Sequence, residues 1–193
     1  MGTGRAFPYP CLVAVFLLFF SLLSCAKDGR IDEVMVMDDT RDILVYARAQ
    51  DFLKEGTERL IYAGVTVRCT FYVNFYQKRP YWFDRRLSDQ VVRNAVKYDN
   101  IKKTIYVTVR LDEKEMETSE FHDVGSAEHS LIELSGVPVF EVGRLNKAEN
   151  YYVRIKAKIE KDDHSRFIRY IMVVLPFMES ETGWYRKEFV WKD

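Results

Sequence analysis

Residues 151–160, Tyr-Tyr-Val-Arg-Ile-Lys-Ala-Lys-Ile-Glu, alternate with a period of two. Tyr151, Val153, Ile155, Ala157 and Ile159 fall on one side. Tyr152, Arg154, Lys156, Lys158 and Glu160 fall on the other. Successive side chains of a strand point to opposite faces, so the segment reads as a strand with one dry and one wet face. That pattern belongs to antiparallel sheets, whose second face meets water.

The same period recurs on both sides of this strand. Over 65–75, Val65, Val67, Cys69, Phe71, Val73 and Phe75 share a face, and the strand is expected to run to Gln77. Ile105, Val107, Val109 and Leu111 do the same over 103–111. Further strands are predicted over 33–38, 42–48, 91–98, 139–142 and 184–191, with the polar Asp38-Asp39-Thr40-Arg41 turning the first pair. Residues 113–118 read as polar and exposed. Two short helices are expected. Phe52, Gly56 and Leu60 recur every four residues, with Asp51 as cap and Gly64 as the left-handed end. Ser126 opens the other, which runs through Leu134 before Gly136 and Pro138 end it. The segment 167–177 is apolar on every side, and both a buried strand and a short buried helix fit it. About seven strands and two short helices predict a mainly β chain: an antiparallel β-sandwich or a partly open barrel. The helices are too few for the crossovers of a parallel sheet.

The N-terminus carries a different signal. Residues 11–25 are an apolar run ending Leu22-Leu23-Ser24-Cys25, preceded by Arg5. Positive charge, an apolar stretch of this length and a small residue before the cut mark an export signal. The last four residues resemble a lipobox, in which the cysteine is lipidated and becomes the first residue. Lipidation at Cys25 is therefore expected, with residues 1–24 as signal, 25–32 as a short tether and 33–193 as one β-rich domain. An uncleaved anchor and ordinary secretion are the two other readings, although a transmembrane helix needs roughly 20 apolar residues. Ala26, where retention in an inner membrane typically uses Asp, slightly favours the outer membrane in a cell that has two. All three readings place the domain outside the cytoplasm, close to a membrane in the first two.

Composition narrows the function. The chain carries 29 basic and 29 acidic residues and therefore lacks the broad positive field that nucleic-acid binding uses. Of three cysteines, Cys11 leaves with the signal and Cys25 takes lipid. Cys69 is left alone, a small apolar residue on a strand face, and no internal disulfide is available. No nucleophile elbow, paired zinc-binding histidines or phosphate loop is present, and no cofactor is predicted. His122, Asp123, Glu128 and His129 match no zinc-ligand spacing. Asp162-Asp163-His164 reads as a turn or a helix cap.

The candidate contact patch is 78–86, where Tyr81, Trp82 and Phe83 stand between Lys78, Arg79, Arg85 and Arg86. Aromatic rings and guanidinium groups are the usual hot spots of interfaces and stack through cation–π contacts. Arg79, Tyr81, Trp82, Arg85 and Arg86 are the residues expected to meet a partner or lipid headgroups. The alternative is a strand connection whose rings fold into the core. Arg154, Lys156 and Lys158 form a second basic stripe, suited to an anionic glycan or lipid, or simply to a solvated sheet face.

The order of features also resembles a known family. A helix ends Ala63-Gly64-Val65, and an aromatic strand leads to Arg79-Pro80-Tyr81-Trp82-Phe83-Asp84. Lys97-Tyr98-Asp99, Tyr106-Val107, Tyr151-Tyr152-Val153-Arg154, Leu175-Pro176-Phe177 and Thr182-Gly183-Trp184-Tyr185 follow. This is similar to the bacterial exported family catalogued as domain of unknown function 4390, over most of the mature chain. The C-terminal part departs most, with Gly183 at the place of an acidic residue. The family carries no assigned activity. Its genes often lie beside nitrogen-regulation-type sensor kinases, which implies a link to envelope signalling. The expectation is a non-enzymatic envelope lipoprotein with a protein or membrane partner. An envelope hydrolase with an unrecognised acidic or metal site, or an accessory of a membrane sensor kinase, are the other readings.

Overall fold

The computed structural model describes residues 29–53, 56–146, 148–161 and 179–190. The expected export signal with Cys25, the expected turn or helix cap at 162–164 and the apolar run 167–177 lie outside them. Two antiparallel sheets pack face to face, and the chain is mainly β, as the alternation predicts. They do not close into a barrel, so the sandwich is the correct one of the two expected forms.

The smaller sheet has the order β1-β2-β7, with β1 at Arg30–Asp39, β2 at Asp42–Gln50 and β7 at Glu133–Glu141. The larger has the order β10-β8-β3-β4-β5-β6. Its strands are β3 Val67–Gln77, β4 Arg85–Asp99, β5 Thr104–Leu111, β6 Lys114–Phe121, β8 Asn150–Lys161 and β10 Tyr185–Val190. The two-residue β9, Ser180–Glu181, pairs with β8 ahead of β10. Val67, Cys69, Phe71, Val73 and Phe75 of β3 are completely buried, as are Val153, Ile155 and Ala157 of β8. The inner faces of both sheets thus supply the core that the period-two pattern requires. Burial raises the Cys69 thiol far above its usual pKa, and the residue behaves as a small apolar side chain.

Several boundaries differ from expectation. The first helix, α1, spans only Thr57–Tyr62. Gly56 sits before it in the left-handed region (φ 98°), and Asp51 also has a positive φ (54°), so neither the stripe nor the predicted cap begins the helix. Asp51 instead pairs with Arg30 at 3.2 Å. Phe52, Leu60 and Ile61 are buried as the stripe demands, and Gly64 has the predicted left-handed φ of 81°. The second helix, α2, is Val124–Leu131, capped by Asp123 accepting from the Ser126 amide at 2.7 Å, not by Ser126. Gly136 and Pro138 lie within β7 rather than ending a helix. The segment 113–118 is exposed throughout, as expected, and most of it belongs to β6, an edge strand absent from the expected set because it is so polar that alternation is invisible in it.

The two sheets share a polarity. At one end Arg30 pairs with Gln50, the Ala49 amide donates to Ile132, and the side-chain amide of Asn94 reaches the carbonyls of Ser130, Leu131 and Glu133. At the other end lie the β1–β2 turn, the end of β7 and the β3–β4 connection. There the Val142 amide donates to Arg41, and the Phe75 ring lies 5.5 Å from that of Phe140. The described chain therefore enters at the end opposite the β3–β4 connection. The nine residues of β2 separate the two levels by about 27 Å.

Candidate binding site

The β3–β4 connection carries the patch singled out from sequence. It projects beyond the sandwich, and its rings do not fold inward: Tyr81 is 103% exposed, Trp82 73% and Phe83 86%. The reading that sends them into the core is ruled out. Trp82 and Phe83 touch edge to face at 6.4 Å. Tyr81 holds a left-handed φ of 67°, an unfavourable conformation for a side chain with a Cβ.

What keeps this tip in place is its base. The Asp84 carboxylate accepts the Arg79 amide at 3.2 Å with one oxygen and the Tyr152 hydroxyl at 2.8 Å with the other. The Tyr152 bond, then the Arg79 amide, hold the Asp84 carboxyl below its usual pKa. Burial and the neighbouring carboxylate push the Tyr152 phenol up to about 12, so it remains a donor. The Tyr152 ring stacks on Tyr76 at 5.0 Å, nearly parallel, and its other face takes the Arg186 guanidinium at 3.7 Å. Lys78 closes the assembly by donating its amide to Asn150 at 2.8 Å and pairing its ammonium with Glu188 at 2.8 Å.

Arg79, Arg85 and Arg86 are exposed around the tip, and Arg86 pairs with Asp89 at 3.0 Å. All five predicted contact residues are therefore in the accessible part of the chain, although Arg85 and Arg86 already belong to β4. A partner would meet three rings and a guanidinium rim on a rigid stem. Rings and guanidinium groups of this kind can stack on a partner surface. Sequence reading missed Tyr76, Asp84, Tyr152 and Arg186. Outward-facing tyrosines on the two paired strands β3 and β8 were the signal that could have found two of them.

The other predicted groups are structural where they are described. Arg154 lies over the Trp184 ring at 4.8 Å, Lys156 pairs with Glu181 at 2.9 Å and Lys158 with Glu160 at 2.8 Å. This stripe is a paired sheet face. Asp123 is spent on capping, and His129 approaches Glu133 at 3.4 Å. No group of three or more His, Cys, Asp or Glu side chains is placed to hold a metal ion among the described residues. No described helix is long and apolar enough to cross a membrane.

No curated protein and no solved structure matches the chain. Residues 26–188 match the family model described as Domain of unknown function (DUF4390). The match covers well over half of the sequence and runs through both sheets, the tip and its stem, so the chain belongs to that family.

Proposed function

We propose that the chain is an envelope lipoprotein, anchored by lipid at Cys25, that works as a non-enzymatic binding module. Its contact is the Tyr81-Trp82-Phe83 tip, and its partner is a protein of the envelope. The observation that carries this reading is the exposure of three consecutive rings on a stem locked by Asp84 and Tyr152. Large aromatics held rigidly in water at one projecting point are costly to leave uncovered and lose little entropy when covered. The direction of the tip supports a protein over the anchoring bilayer. The described chain enters at the opposite end of the sandwich, so a tether from Cys25 leaves the rings facing away from that membrane.

Two measurements test the proposal. The intact mass of the membrane-extracted chain should show a start at Cys25 with acyl mass, absent in Cys25→Ala. A photo-reactive residue in place of Trp82 should cross-link one defined protein in living cells. The same group at Ile101, exposed at the far end, should not. Tyr81→Gly should abolish the cross-link while relieving the left-handed strain, so a lost fold cannot explain it. Equal yields from both positions would sink the tip reading and leave the lipoprotein reading to the mass measurement.

A further inference from the structure

The outer face of the large sheet carries a second feature, which neither the tip nor its stem uses. A cleft of ≈ 320 Å³ is sunk into it across β3, β4 and β5, a size at the small end of ligand pockets. Register explains the hollow. Arg68, Ala95 and Thr108 stand side by side on the three strands, and Lys97, two residues further along β4, lines the same cleft with Thr66, which lies just before β3. Ala95, Thr66 and Thr108 are short and form the floor. Arg68, Arg93, Lys97 and Arg110 form the walls with Glu113 the one carboxylate among the lining residues, and Glu160 lies 3.9 Å from Arg68 outside the cleft.

Two details are unfavourable for stability alone. Arg93 and Arg110 are direct cross-strand partners, and like charges facing each other across a ladder destabilise it. Each is offset by one carboxylate from the β5–β6 hairpin: Glu113 against Arg93 at 2.5 Å and Glu115 against Arg110 at 3.6 Å. The hairpin turn is Asp112-Glu113, both with positive φ (46° and 70°), where Asn-Gly or Asp-Gly is preferred. Glu113 thus occupies a glycine position in a strained conformation and places its carboxylate at the cleft.

We infer that this cleft binds a compact oligoanion whose phosphate or carboxylate oxygens take the guanidinium groups of Arg93 and Arg110, with Glu113 as the internal anion it displaces. Guanidinium forks match both oxyanions in geometry, and Lys97 and Arg68 add charge at the other end. Four cations around a floor of small side chains leave room for two anionic groups at once. A solvated strand face would have no need of the hollow.

Calorimetric titration of the full chain in nonionic detergent, at about 0.15 M salt to suppress diffuse attraction, tests this. The probes are inorganic pyrophosphate and citrate. At least one should bind saturably at one site, and the stronger of the two identifies the oxyanion. Arg93→Gln and Arg110→Gln should each weaken binding about tenfold or more. Ala95→Phe fills the floor without changing charge and should abolish binding. Glu113→Gly should strengthen binding several-fold and raise the melting temperature by relaxing the turn. Failure of both probes to saturate, or affinity unchanged by Ala95→Phe, would overturn the inference.

Discussion

Tyr152 donates its hydroxyl to Asp84 at 2.8 Å across 68 residues of sequence, and this bond joins strand β8 to the base of the aromatic tip. It is one of two bonds that make Asp84 a clamp, the other being the Arg79 amide. Tyr152→Phe keeps the ring between Tyr76 and Arg186 and removes only the donor. The expected outcome is a loss of about 1 kcal/mol of stability, moderated by solvent at the partly exposed carboxylate. Amide exchange should accelerate over 79–84 and stay unchanged in β3. Uniform acceleration across both segments would mean that Tyr152 supports the sheet and not the tip.

The clamp also sets a pH dependence. Asp84 has its carboxyl pKa lowered in the folded chain, by Tyr152 first and then Arg79. The folded state therefore binds that proton less readily than the unfolded chain, and the clamp contributes stability above the ordinary value of about 3.9. That contribution disappears as pH falls through the lower folded value. The Arg79 amide shift should titrate with a midpoint below about 3.9 and show no such step in Asp84→Asn. A midpoint above that value would show that the carboxylate is not held by its donors.

Asn94 is 1% exposed on the inner face of β4, and its side-chain amide points at the carbonyls of Ser130, Leu131 and Glu133 between 2.7 and 3.3 Å. It satisfies the end of α2 just where the chain turns into β7, so one side chain joins the helix to both sheets. Removing the donor leaves buried carbonyls unpaired, a loss of about 1–3 kcal/mol. Asn94→Ala should therefore lower the denaturant midpoint well beyond the effect of Ala95→Ser, one residue away on the outer face. Equal shifts would mean that water replaces the bonds.

How much of this was legible in the residues follows from what each interaction needs. Strands β3, β5 and β8 announce themselves because one face is dry and the other wet, and period-two alternation records that difference. β6 does not, because its side chains are exposed or only partly covered and Lys114–Phe121 has no dry face to report. β7 was half hidden by Gly136 and Pro138, which read as helix terminators while a bulged strand accommodates both. The exposed rings of the tip were legible as composition, and their direction was not. The Asp84–Tyr152 bond and the Arg93–Arg110 pair depend on which strands neighbour each other, and nothing local in the sequence states that order.

Phe75 shows what such an order accomplishes. Its ring lies 5.6 Å from Tyr151, 5.7 Å from Phe189 and 5.5 Å from Phe140. It thus ties β3, β8 and β10 of the large sheet to β7 of the small one at the end that carries the tip. Truncation removes a fully buried ring and three aromatic contacts together, so Phe75→Ala should cost about 3–5 kcal/mol. Phe75→Leu, which keeps most of the volume, should cost markedly less. The informative readout is the pattern of amide exchange in Phe75→Leu. The end formed by 75–77, 140–146 and 150–152 should open first, and the Asn94 end should stay protected. Loosening that began at the Asn94 end would show that the sheets are joined there and that the aromatic cluster merely fills space.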